Sequence, residues 1–172
     1  MKTFLEYLKE ATSPTKVSIL GGRFQPWHIG HTKIVEMMKF QPLILIVKGK
    51  GSSEDKSKNP LDEEYQEYLI KKVFPNAEVV KVRNMNLKPI VYHTQKGGDK
   101  VVGEILGGPD RLGSYKNQLV KEYPDIIYTE TPRITSATAV RQAIRDGDEK
   151  TFKKLMPPRL HSEWNQLRKQ II

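Results

Sequence analysis

Five apolar runs alternate with helical patterns along this chain, and they predict an α/β domain: a five-stranded parallel sheet with helices on both faces and further helices at the C-terminal end. Three observations carry the prediction. Leu43-Ile44-Leu45-Ile46-Val47 is continuously apolar, as expected of a strand covered on both faces of a parallel sheet. Each run is followed by a segment whose apolar residues recur at helical spacing. Gly21-Gly22, Gly107-Gly108 and the Thr131–Ser136 loop all follow runs, at the strand ends where ligands of such sheets bind.

The elements follow in order. Phe4, Leu5 and Leu8 form a short helical stripe that Ser13-Pro14 ends. Val17–Leu20 is the first strand, and Gly30–Phe40 is a helix with Ile34, Val35 and Met38 on one face. After the 43–47 strand, Asn59-Pro60 opens a helix, with Asn as cap, Pro at the first position and acidic residues in the first turn, running to Val73 or Phe74. Glu78–Val82 is the third strand. Asn86 caps a helix to about Thr94, with Pro89 near its start. Lys100–Leu106 is the fourth strand, and a helix follows Arg111 to about Glu122. Asp125–Thr129 is the fifth strand. Ser136 caps a helix over 137–146 that stops at Gly147. Asp148 caps another ending at Met156, and His161–Ile172 is the last. Residues 1–15 read as an N-terminal helix or targeting segment, 16–147 as the main domain, and 148–172 as its helical extension.

At 172 residues the chain is long enough for one domain with a real core and short for two. No apolar run approaches the ~20 residues of a membrane span, so no membrane partner is expected. Cysteine is absent, which removes disulfide and thiol chemistry and fits a cytoplasmic setting. The net charge of +9 favours anionic partners. The charge is spread along the chain, and its densest stretch, Lys48–Lys58, is broken by Glu54 and Asp55 and reads as a solvated loop. It therefore points to nucleotides ahead of nucleic acid.

The richest chemistry lies in Gly22-Arg23-Phe24-Gln25-Pro26-Trp27-His28-Ile29-Gly30-His31, between the first strand and its helix. A helix start offers unpaired N–H groups and partial positive charge, which attract phosphate. Two imidazoles and Arg23 gather there. Histidines three apart also occur in zinc sites, but His93 and His161 are isolated and no cysteine is present, so no protein-built metal site is expected. Taken singly, Ser136 reads as a plain cap and Arg141 as a solvated surface residue. Trp27, Tyr92, Tyr115 and Trp164 are candidates to stack on a base, with core packing as the competing role.

The 22–31 segment resembles the first signature of the HxGH nucleotidyltransferase superfamily, and most closely the GRFQPFHxGH form of archaeal-type nicotinamide mononucleotide (NMN) adenylyltransferases, with Trp27 for Phe. Thr135-Ser136-Ala137-Thr138-Ala139-Val140-Arg141 resembles the second signature, ISxTxxR, with Thr135 for Ile. Gly108-Pro109-Asp110-Arg111 resembles the Gly-x-Asp segment after the fourth strand, although it is also ordinary turn chemistry. Class I aminoacyl-tRNA synthetases share HxGH, but Lys56-Ser57-Lys58 does not match their second motif and the chain is too short. No Walker A or Gly-x-Gly-x-x-Gly sequence is present.

The resemblance implies a Rossmann-like nucleotidyltransferase fold and attack of a substrate phosphate on the α-phosphorus of ATP, forming NAD from NMN and releasing pyrophosphate. Catalytic roles fall on His28, His31, Arg23 and Arg141. Nucleotide-binding roles fall on Gly21, Gly22, Arg23, Phe24, Gly30, His31, Gly108, Asp110, Arg111, Ser136, Thr138 and Arg141. Mg²⁺ is expected to travel with ATP. Cytidylyltransferase or phosphopantetheine adenylyltransferase activity is the alternative, although those families more often carry GTFDxxHxGH. The superfamily often forms homo-oligomers. Leu8-Lys9-Glu10-Ala11 also resembles the cleavage signal of tailed-phage prohead proteases, which implies a phage-encoded enzyme, in the host cytoplasm or carried in the virion interior; a docked N-terminal helix is the competing reading, and a packaged phage nucleotide- or nucleic-acid-binding protein without catalysis is a further alternative.

Overall fold

The computed structural model describes residues 1–49 and 55–172, and for 9–12 the backbone alone. Five parallel strands form one sheet in the order β3-β2-β1-β4-β5. They are β1 (Thr15–Gly22), β2 (Gln41–Val47), β3 (Glu78–Val82), β4 (Lys100–Gly107) and β5 (Ile127–Glu130). The order reverses between β1 and β4, which makes their carboxyl ends the switch point of the sheet.

Eight helices accompany them among the described residues: α1 (Phe4–Thr12), α2 (Ile29–Glu36), α3 (Glu63–Val73), α4 (Leu87–Gln95), α5 (Leu112–Leu119), α6 (Ala137–Arg145), α7 (Glu149–Leu155) and α8 (Trp164–Ile171). A 3₁₀ turn over Pro158–Glu163 joins the last two. Two apolar clusters sandwich the sheet. One holds Leu20, Ile44, Ile46 and Leu106 with residues of α2, α3, α6, α7 and α8. The other holds Ile19, Leu43, Leu45 and Ile105 with residues of α4 and α5. Successive side chains of a strand point to opposite faces, so both faces of the apolar 43–47 run are buried. Phe152, Met156, Leu160, Trp164, Leu167 and Ile171 join the first cluster, so residues 148–172 share the core of the main domain.

The structure shifts several sequence expectations. Helix α3 is capped by Asp62, whose carboxylate accepts the Tyr65 N–H at 2.8 Å, and not by Asn59. The Asn59 N–H instead closes a turn onto the Asp55 carbonyl at 2.9 Å. The Asn86 side chain caps nothing; the Leu87 N–H goes to Gln118 Oε1 at 2.8 Å. Helix α5 stops at Leu119. The 161–163 stretch is 3₁₀, and α8 begins at Trp164. Gly21 and Gly22 do not turn: they are the last residues of β1 and pair with Leu45 and Ile46.

Helix α2 ends at Glu36, four residues before the expected Phe40. The reason is a buried carboxylate that sequence reading passed over. Glu104, fully buried in β4, accepts from Ser18 Oγ at 2.7 Å, Thr129 Oγ1 at 2.6 Å and the Lys39 N–H at 2.9 Å. Ser18 Oγ in turn accepts the Phe40 N–H at 3.1 Å. Backbone groups after α2 are satisfied here, so the helix need not continue. Burial pushes the Glu104 carboxyl up, but hydrogen bonds from Thr129, Lys39 and Ser18 outweigh that and hold it below the usual carboxylate range.

Helix α1 leaves Phe4, Leu5, Tyr7 and Leu8 exposed, which is not the docked helix expected. The side chains of three of the four residues in the protease-like segment, 9–11, lie outside the described set, as do residues 50–54 of the basic loop. No described helix is long and apolar enough to cross a membrane.

Candidate active site

The turn between β1 and α2 delivers the first motif. Phe24 sits at φ 48°, in the left-handed region, and the Gln25–Pro26 peptide is cis. The Gln25 side-chain amide clasps the Leu61 backbone, accepting its N–H at 2.9 Å and donating to its carbonyl at 3.0 Å. Trp27 is fully buried and donates its indole N–H to Thr32 Oγ1 at 2.9 Å, so it packs behind His31 and is not available to stack on a base.

His28 is the N-cap of α2. Its Nδ1 accepts the Gly30 N–H at 3.1 Å, and His31 Nδ1 accepts the His28 N–H at 3.2 Å. The two rings form a reciprocal capping box and stack at 3.7 Å between centroids, 19° from parallel. Gly30 makes room for this arrangement: a Cβ there would lie 2.9 Å from His28 Cε1. With Nδ1 accepting a backbone N–H, the neutral imidazole carries its proton on Nε2. Burial pushes His28 down to about 4 from its ordinary 6.5. Burial, and then the charge of His28, push His31 well below 6.5. At neutral pH both rings are therefore uncharged Nε2–H donors bordering the cleft.

The second motif arrives at α6. Ser136 caps the helix by accepting the Ala139 N–H at 3.2 Å. Arg141 is buried, not solvated: Nη1 donates to the Gln25 carbonyl at 2.7 Å and Nη2 to Thr138 Oγ1 at 3.2 Å, while Nε is buried and has no partner among the described residues. Burial pushes its pKa down, with Arg145 adding to the effect. The Arg141–Gln25 bond joins segments 116 residues apart. Methyl Cγ2 of Thr135 would lie 3.7 Å from a Cβ at Gly30, so the two motifs also touch beside the histidines.

These elements enclose a cleft of ≈ 1160 Å³ at the carboxyl ends of β1, β4 and β5. Of the sequence-predicted residues, Arg23, Phe24, His28, Gly30, His31, Gly108, Asp110, Arg111, Ser136, Thr138 and Arg141 line it. Gly21 and Gly22 do not. A Cβ on Gly21 would lie 2.3 Å from Met85 Sδ, and one on Gly22 2.9 Å from Phe24 Cε1, so these glycines accommodate packing behind the cleft. Tyr92, Tyr115 and Trp164 do not line it either. The starts of α2, α5 and α6 all border the cleft, bringing the positive ends of three helix dipoles to one volume. Its ionic lining is Arg23, Lys58, Arg111, Arg133, Arg141 and Arg145 against Asp110 and Glu130. This is a cleft for a polyanion. Among the described residues no three His, Cys, Asp or Glu gather in a metal-binding cluster.

Sequence reading missed Gln66, Lys58 and Arg145. Arg145 Nη2 donates to the Ser57 carbonyl at 2.7 Å, tying α6 to the loop that brings Lys58 to the cleft.

The family model for cytidylyltransferase-like proteins matches residues 19–143, most of the chain and both motifs. Among solved structures, the Plasmodium falciparum nicotinic acid mononucleotide adenylyltransferase complexed with NaAD aligns with a TM-score of 0.59 at 12% identity, covering 91% of this chain and 98% of that one. A Vibrio parahaemolyticus protein assigned provisionally as a nicotinate-nucleotide adenylyltransferase aligns with a TM-score of 0.54 at 17% identity, covering 88% and 99%. Thermotoga maritima TmcAL bound with alpha-thio ATP aligns with a TM-score of 0.56 at 11% identity, covering 88% of this chain and 55% of that one. No curated protein sequence matches the chain significantly.

Proposed function

We propose that this chain, which belongs to the cytidylyltransferase-like family, transfers the adenylyl group of ATP to the phosphate of a pyridine mononucleotide, NMN or its nicotinate counterpart, and releases pyrophosphate. One observation carries the reading: the Arg141–Gln25 bond brings the histidine pair and the Ser136–Arg141 turn to one cationic cleft. An acceptor phosphate oxygen attacks the α-phosphorus, and the bond to the bridging α,β-oxygen breaks as its electrons pass to pyrophosphate. No enzyme nucleophile is needed. The chain aligns the partners and stabilises the charge moving to the leaving group.

The Nε2–H donors of His28 and His31 and the starts of α2 and α6 are suited to that charge. Arg23, exposed on the rim, is suited to phosphate. Arg141 has two of its donors tied to Gln25 and Thr138, so it supports the cleft as well as contributing charge. Among the described residues, Asp110 and Glu130 are the carboxylates of the cleft lining, a set that fits Mg²⁺ carried mainly by phosphate oxygens. Bound there, Mg²⁺ would neutralise triphosphate charge.

The test is pyrophosphate release from ATP or CTP paired with NMN, nicotinate mononucleotide, phosphopantetheine or glycerol phosphate. Release from ATP with a pyridine mononucleotide is expected. His31→Ala should lower turnover by about 10²-fold or more while the fold stays intact. Release confined to another pair, or from none, overturns the proposal.

A further inference from the structure

The turn that carries the histidines is held by a side chain outside both motifs. Gln66, buried on α3, donates from Nε2 to the Phe24 carbonyl at 3.1 Å and also to the Arg23 carbonyl. The next carbonyl, that of Gln25, takes Arg141 Nη1. Three successive carbonyls are thus tied by side chains from two other elements.

We propose that Gln66 is a positioning residue that sets the His31 ring through Phe24. Phe24 at φ 48° holds a left-handed backbone that is unfavourable for a residue with a Cβ. Its neighbours on either side do not share that conformation, so support must come from outside the turn. The Gln66 donor supplies it. In this conformation the Phe24 ring meets His31 edge-on, with centroids 4.8 Å apart at 85°. Trp27 holds His31 from another side at 5.0 Å. Gly22 leaves the space the Phe24 ring occupies. Without the Gln66 donor, Phe24 relaxes to negative φ and its ring leaves His31. The imidazole then loses the wall that keeps Nδ1 on the His28 N–H and aims Nε2 at the cleft. Gln66 itself is not part of the cleft lining, so it acts through the Arg23–Phe24 backbone it holds.

The turnover arm of the test rests on the activity proposed above; the spectroscopic arm does not. Gln66→Met keeps the length and removes the donor. Gln66→Glu keeps the shape and sets carboxylate oxygens against the carbonyls. The chain has four histidines, so ring ¹⁵N spectra are assignable. Both variants should change the ligand-free His31 ring signals while His93 and His161 stay put. kcat should fall about 10- to 10²-fold with the KM for ATP little changed. In a double-mutant cycle, Gln66→Met added to Phe24→Gly should cost far less than Gln66→Met alone. Unchanged His31 signals, or additive losses in the cycle, overturn the assignment. If a variant does not fold, the other variant and the Phe24→Gly spectrum decide the same question. If the unaltered protein shows no turnover, the activity proposal fails and the His31 spectra alone decide the role of Gln66.

Discussion

Acid should unseat the histidine pair before it unfolds the rest, and the size of the effect follows from one side chain. His28 is 5% exposed and is pushed down to about 4, against 6.5 in the unfolded chain. Between those values the unfolded chain binds the proton and the folded one does not, so stability falls as pH falls. The contribution is complete above the unfolded value and is lost progressively on the way down to about 4. At pH 4.5 the loss from His28 is about 2.5 kcal/mol, or roughly 5–10 °C in Tm for a chain of this length. The control is His28→Asn, which keeps an N-cap acceptor and cannot titrate. Calorimetry at pH 7.5 and 4.5 should show the unaltered protein losing more Tm than the variant by that margin. Glu104 and His31 are present in both proteins, so their own contributions largely cancel. An equal drop in the two proteins would refute the idea that His28 is held neutral by burial.

Three other outcomes follow from the same geometry. Gly30→Ala places a Cβ 2.9 Å from a ring that is buried and stacked, so it should cost about 1–3 kcal/mol of stability and most of the turnover; Tm and pyrophosphate release measure both. Arg141→Lys cannot make both guanidinium bonds, to Gln25 and Thr138, and should weaken ATP binding; equal ATP affinity by calorimetric titration would count against it. Glu104→Ala leaves Ser18, Thr129 and the Lys39 N–H without their acceptor and should cost about 2–4 kcal/mol in denaturant unfolding, without moving the KM for ATP.

What could be read from the sequence was local. The 43–47 run declared a doubly buried strand, and Asp148 and Gly147 marked the boundary between α6 and α7 because caps act within a few residues. Asn59-Pro60 misled because a cap signature is also a turn signature, and Asp62 lay within reach of the same helix. The histidine motif announced the site, yet not which ring nitrogen each histidine would commit to capping the helix. The tertiary roles of Gln25, Gln66 and Glu104 escaped notice because their side-chain partners lie 25 to 86 residues away. Glu104 did leave a trace: one acidic residue in the otherwise apolar or glycine stretch 101–107, which a solvated strand would not need. Gln66 left a fainter one: it stands at helical spacing from Leu69, Ile70 and Val73, on the face that α3 buries.

The mutual cap of the two imidazoles has a cost for any descendant of this protein. Each ring has committed one nitrogen to architecture before substrate arrives, so neither can be exchanged for a lysine or arginine, which donate but cannot accept, without fraying the start of α2. Loss of activity and loss of that helical turn are coupled mutations. A lineage that abandoned the chemistry would have to rebuild the cap as well, which makes the histidine pair harder to erase than its catalytic use alone would require.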